Sequence, residues 1–130
     1  MAINGLQIKG ILFDLDGTLI DSVPDLTAAL NTMLERQNLP QVSNELTATW
    51  VGNGMPMLVE RALKHVGGDC SANAVEASYQ LCNEEYSKIS GQFSVFYPAV
   101  RMTLKTLSQA GYKLGMVTNK PSNLLPKIIT

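Results

Sequence analysis

Near its start the chain carries a short apolar run, Gly10-Ile11-Leu12-Phe13, that ends in an acidic, glycine-containing turn, Asp14-Leu15-Asp16-Gly17-Thr18. Unbroken apolarity over a few residues suits a strand buried on both faces of a parallel sheet. A second run of this kind, Lys113 to Val117, is entered through Gly111 and left through Thr118-Asn119-Lys120-Pro121. Between the two runs the spacing turns helical. Pro24 can begin a helix with Leu26, Leu30, Met33 and Leu34 on one face. Pro56 can begin another, with Leu58, Val59, Ala62, Leu63 and Val66 inward and Gly67 as its stop. Ser71 can cap a third that keeps Val75, Tyr79, Cys82, Tyr86 and Ile89 in register. A weaker helical stretch lies near Glu45 to Trp50. Pro98 is then expected to open a helix with Val100, Leu104 and Leu107, closed by Gly111, and a last helix starts near Pro121.

The resulting order is strand, helical block, helix, strand, helix. The block from about Ser22 to Phe93 is too long for one crossover connection, so it reads as an inserted all-helical lobe. Residues 1–21 and 94–130 then read as the start of an open α/β sheet. Two convincing strands are fewer than a doubly wound sheet needs, so the sequence is expected to be part of a longer protein.

Composition narrows the classes. The 130 residues are 45% hydrophobic and 16% charged, within the range of globular domains, and the net charge of −1 argues against a basic nucleic-acid surface. Cys70 and Cys82 form no CxxC pair and His65 is the single histidine, which speaks against a zinc site. No apolar run approaches the ~20 residues of a membrane span, and no signal-peptide pattern is visible. The chain therefore reads as cytoplasmic.

Chemistry gathers at the strand ends. In open α/β sheets ligands bind beyond the carboxyl ends of the strands. Asp14 and Asp16 follow the first strand, and Thr118 and Asn119 follow the second. Neighbouring strands would bring these four residues to one site. A carboxylate such as Asp14 can attack phosphorus, a second such as Asp16 can move protons, and a hydroxyl such as Thr118 can hold phosphate oxygens. Thr118 and Asn119 also suit the N-cap of a following helix. Gly52-Asn53-Gly54 suits a mobile polar loop or a plain helix-helix turn. Arg61 suits either a fork-shaped anion donor or an exposed helical arginine.

Phe13-Asp14-Leu15-Asp16-Gly17-Thr18-Leu19, followed by Asp21-Ser22, closely resembles the first motif of the haloacid dehalogenase superfamily. Val117-Thr118-Asn119-Lys120 resembles its second motif. Thr49-Trp50-Val51-Gly52-Asn53-Gly54 with Glu60-Arg61-Ala62-Leu63 is similar to the cap of the family's bacterial phosphoglycolate phosphatases. The resemblance implies a partial Rossmann-like α/β core of parallel strands with an inserted helical cap over residues 22–93. It implies Asp14 as nucleophile and Mg2+ ligand, and Asp16 as acid/base that binds the metal through its carbonyl. It further implies that Thr118 and the Asn119 backbone hold the transferring phosphoryl group, and that the Gly52-Asn53-Gly54 loop closes over the substrate, a candidate partner for Arg61 as well. A lysine motif and a later acidic motif should follow the second motif, beyond Thr130, so residues 1–130 alone are expected to be catalytically incomplete.

The expected function is a Mg2+-dependent phosphatase that hydrolyses a small phosphomonoester, 2-phosphoglycolate first among them, through an aspartyl phosphate. Its expected partner is that small phosphorylated substrate, with no nucleic acid and no membrane. The alternatives are a sugar-phosphate phosphatase or phosphomutase of the same superfamily, or a non-catalytic fragment. A phospho-acceptor signalling module also places aspartates at strand ends, but it carries no long helical insert after its first acidic strand.

Overall fold

Eleven elements follow one another in a computed structural model that describes residues 2–3 and 6–118. They are β1 (Ala2–Ile3), β2 (Leu6–Gln7), β3 (Gly10–Asp14), β4 (Ile20–Asp21), α1 (Val23–Arg36), α2 (Asn44–Trp50), α3 (Met55–Val66), α4 (Ala72–Ile89), β5 (Val95–Phe96), α5 (Val100–Gln109) and β6 (Lys113–Val117). The helix expected from Pro121 lies outside the described residues. The architecture is mixed α/β, and it forms two compact units. One is built from the residues up to Asp21 and from Val95 onward; the other spans Ser22–Ser94.

In the α/β unit, β3 and β6 pair in parallel from Gly10↔Lys113 to Asp14↔Val117. Ile11, Phe13, Leu114 and Met116 share one face of this pair, and α5 packs along β6. The other face carries Leu12 and Val117, which are 72% and 61% exposed. The expected burial of β3 on both faces is therefore not met among the described residues. Gly115, opposite Leu12, has no side chain, and Leu12 Cδ2 leans across it to 2.7 Å from where a Cβ would stand. Two short antiparallel pairs that no periodicity announces, β1–β2 and β4–β5, complete the strands described.

The helix after Pro98 starts later than expected. Val100 N–H donates to Tyr97 O (3.2 Å) and Ala99 takes φ 65°, which has the form of a type II turn with Pro98 at its second position. Pro98 thus closes a turn, and α5 begins at Val100.

The helical unit has its own core. α4 packs against α1 and α3, and α2 packs against the same two helices. Ala29, Leu30, Met33 and Leu34 from α1 meet Leu58, Val59, Ala62 and Leu63 from α3, with Cys82 and Tyr86 from α4. These are the positions that the 3.6-residue period puts inward. Each fully buried aliphatic side chain contributes about 1.5–3 kcal/mol relative to exposure, so this cluster dominates the unit's stability. Ser43 and Ser71 cap α2 and α4 by accepting from Leu46 N–H (3.1 Å) and Ala74 N–H (3.3 Å). The Asn31 side chain and the Val42 backbone exchange two hydrogen bonds (3.0 and 2.8 Å), pinning the loop after α1 to that helix. No helix among the described residues is long and apolar enough to cross a membrane.

Candidate active site

The loop that leaves β3 is wound tightly around one carbonyl. Leu15 O accepts from Thr18, Leu19 and Ile20 N–H at 3.3, 2.9 and 3.1 Å, and Gly17 N–H donates back to Ile20 O at 2.9 Å. This winding needs φ +80° at Gly17, a conformation that a side chain would make costly. Leu15 and Ile20 are buried and anchor the loop at both ends. Asp14, just before Leu15, is exposed, while Asp16, between the two anchors, is half-buried with its Oδ1 shielded from solvent. Asp14 Oδ1 accepts from Leu15 N–H (2.9 Å), which holds the carboxylate over the strand end.

Across the pair, Asp14 stands level with Val117, so Thr118 is the first residue past the end of β6. The structure therefore places Asp14 and Thr118 at the carboxyl ends of two hydrogen-bonded parallel strands, with Asp16 on the adjoining loop. Asn119 lies outside the described residues.

Among the described residues no three His, Cys, Asp or Glu side chains come together as a metal cluster. The α/β unit instead offers Asp14 and Asp16, separated by Leu15, and the backbone carbonyls of their loop. That hard-oxygen set fits Mg2+, which takes one or two carboxylates from a protein and keeps several waters.

The other sequence-predicted residues sit together in the helical unit. Gly52, Asn53 and Gly54 form the exposed turn between α2 and α3, with φ +118° and +87° at the two glycines. Arg61, one and a half turns into α3, reaches back to this turn. Its Nη1 donates to Trp50 O (2.6 Å) and its Nη2 to Asn53 Oδ1 (2.9 Å). The sequence offered Asn53 and Arg61 separately as substrate contacts, with no sign that two of the five guanidinium donors hold the turn itself. Trp50 packs on the helical core, and His65 stacks obliquely on it, with ring centroids 5.4 Å apart.

One polar residue escaped the sequence reading. Asp25 is wholly buried in the first turn of α1 and accepts three hydrogen bonds from the segment after α4. An acidic residue in a first helical turn is a common dipole partner, so its sequence position alone carries no sign of this role.

The sequence profile of the family described as "Haloacid dehalogenase-like hydrolase" matches residues 11–130. The phosphoglycolate phosphatase of Yersinia pseudotuberculosis serotype I is 41% identical over 123 residues, covering 95% of this chain and 53% of its own. That of Psychrobacter arcticus is 45% identical over 125 residues, covering 92% of this chain and 54% of its own. The crystal structure of a predicted phosphoglycolate phosphatase from Haemophilus somnus 129pt superposes with a TM-score of 0.79 at 36% identity, covering 94% of this chain and 58% of that one. The chain spans about half the length of the curated relatives it matches.

Proposed function

The chain belongs to the haloacid dehalogenase-like hydrolase family, and on that premise we propose that its α/β unit carries the nucleophile and a phosphate-holding hydroxyl of a phosphomonoesterase. The observation that carries this reading is the pairing of β3 with β6, which sets Asp14 and Thr118 at neighbouring strand ends with Asp16 two residues on. The helical unit is proposed as the cap, and its Gly52-Asn53-Gly54 turn as the part that meets the substrate.

The chemistry follows from the residue types. The Asp14 carboxylate attacks phosphorus, the bond from phosphorus to the leaving oxygen breaks, and Asp16 delivers its proton to that oxygen. An aspartyl phosphate on Asp14 results. Asp16, now a carboxylate, takes a proton from water as the water attacks phosphorus, which frees inorganic phosphate and restores both aspartates. The Thr118 hydroxyl donates to a phosphoryl oxygen throughout. Mg2+ held by Asp14 and the Asp16 carbonyl would offset the repulsion between two anions. The relatives' names point to 2-phosphoglycolate as substrate, and the reading includes a cytoplasmic setting.

The test is hydrolysis of 2-phosphoglycolate by the protein that carries this chain. Turnover is expected to require Mg2+ and to vanish in Asp14→Asn, because an amide is a poor nucleophile. Asp14→Asn turnover near the unmutated rate, with unchanged circular dichroism, would remove Asp14 from the nucleophile's role.

A further inference from the structure

Asp25 has no part in the chemistry above, yet it is the most heavily hydrogen-bonded buried carboxylate among the described residues. One oxygen accepts from Phe93 N–H (2.7 Å). The other accepts from Gly91 N–H (2.8 Å) and from the Ser94 hydroxyl. The three donors lie on the stretch that follows α4, where the amides of Ser90 and Gln92 bond to the carbonyls of Tyr86 and Ile89 and those of Gly91 and Phe93 turn to Asp25 instead. A carboxylate suits this place because it presents only acceptors to a cluster of donors.

The location matters as much as the bonding. Among the described residues the chain passes between its two units twice, after Asp21 and after Ser94. On the α/β side of both crossings, β4 pairs with β5 through Ile20↔Phe96 and Asp21↔Val95, and Tyr97 N–H donates to Leu19 O (3.2 Å). On the helical side, Asp25 stands four residues past the first crossing and grips the residues just before the second. The outgoing and returning strands are therefore fastened to each other on both sides of the crossing points.

We infer that Asp25 couples the two crossings, so that the backbone beside them opens as one cooperative segment instead of as two independent ones. Asp25 is thus a positioning residue that acts through the backbone of residues 91–94. The inference stands apart from the phosphatase reading, because its test follows backbone amides and not turnover.

The experiment measures amide hydrogen exchange in the protein that carries this chain, unmutated and as Asp25→Asn. The substitution keeps the shape and turns an amide NH2 toward groups that are themselves donors. Asparagine keeps one acceptor oxygen and loses the other, so a buried hydrogen bond is lost at Gly91 or at Phe93, and the two amides, which share one short segment, are expected to exchange about tenfold faster. The Tyr97 amide, which Asp25 does not touch, is expected to accelerate with them, while the Val59 and Leu63 amides of α3 keep their rates. Acceleration at Gly91 and Phe93 with Tyr97 unchanged would make Asp25 a local cap and overturn the coupling. Unchanged rates at all three sites would overturn it as well. If Asp25→Asn loosens α3 too, Ser94→Ala, which removes one of the three bonds, decides. Joint acceleration at Gly91, Phe93 and Tyr97 with α3 unchanged supports the coupling, and any other pattern refutes it.

Discussion

Two single residues carry physical costs that the structure makes visible. Ala99 holds φ 65° in the turn before α5, where an L side chain costs roughly 1–2 kcal/mol. Glycine is free of that cost but loses about 0.4–1 kcal/mol through the larger entropy of its unfolded chain. Ala99→Gly is therefore expected to stabilise the protein by about 0.5–1 kcal/mol, read as a higher urea midpoint at unchanged slope. An unchanged or lower midpoint would mean the turn relaxes without strain. Cys82 is the second case. Burial, and to a lesser degree the nearby Glu85, pushes its thiol from 9.0 up to about 12. The unfolded chain gives up this proton first. Its contribution is thus complete below pH 9.0 and is lost as pH rises toward about 12. Stability should fall more steeply across that window in the unmutated protein than in Cys82→Ala, in urea titrations of both. Parallel profiles would show that Cys82 does not govern the alkaline loss.

At the scale of elements, much was legible because the apolar period and the caps agreed. α1, α3 and α4 appear where Pro24, Pro56 and Ser71 placed their starts, and Gly67 follows α3 as its stop. The strands β3 and β6 were readable for the same reason, as was the meeting of Asp14 and Thr118 at their ends. Other features were not readable, because they depend on partners distant in sequence. The two-residue pairs β1–β2 and β4–β5 are too short to show a period. The three bonds to Asp25 span 66 to 69 residues, a separation that no local pattern encodes. Arg61 falls between these cases. Its place on α3 was clear from the sequence, while its grip on Trp50 O and Asn53 Oδ1 needed the fold. Arg61→Ala is expected to lower stability by about 1–3 kcal/mol, since hydrogen bonds to charged groups are the stronger kind. If the turn meets the substrate, the same change should cut hydrolysis of 2-phosphoglycolate more than that of a generic aryl phosphate. Equal losses on both would mark the turn as structural only.

At the scale of the whole molecule, chemistry and substrate selection are separated in the proposed reading. The α/β unit holds Asp14 and Thr118 at the ends of two paired strands and Asp16 on the loop that follows β3. The helical unit has an independent core and offers an exposed, glycine-flanked turn braced by an arginine. This arrangement allows the proposed reaction centre to stay constant while a different element selects the substrate.

The proposal's centre is a covalent one, that phosphorus passes through Asp14. It is tested most directly by acid-quenching the protein during turnover of 2-phosphoglycolate with Mg2+, digesting it, and weighing the peptides. The account predicts a mass increase of one phosphoryl group on the peptide that contains Asp14, discharged by hydroxylamine and absent from Asp14→Asn. A phosphoryl group trapped on another residue, or steady turnover in which quenching at every stage finds the Asp14 peptide unmodified, would contradict it.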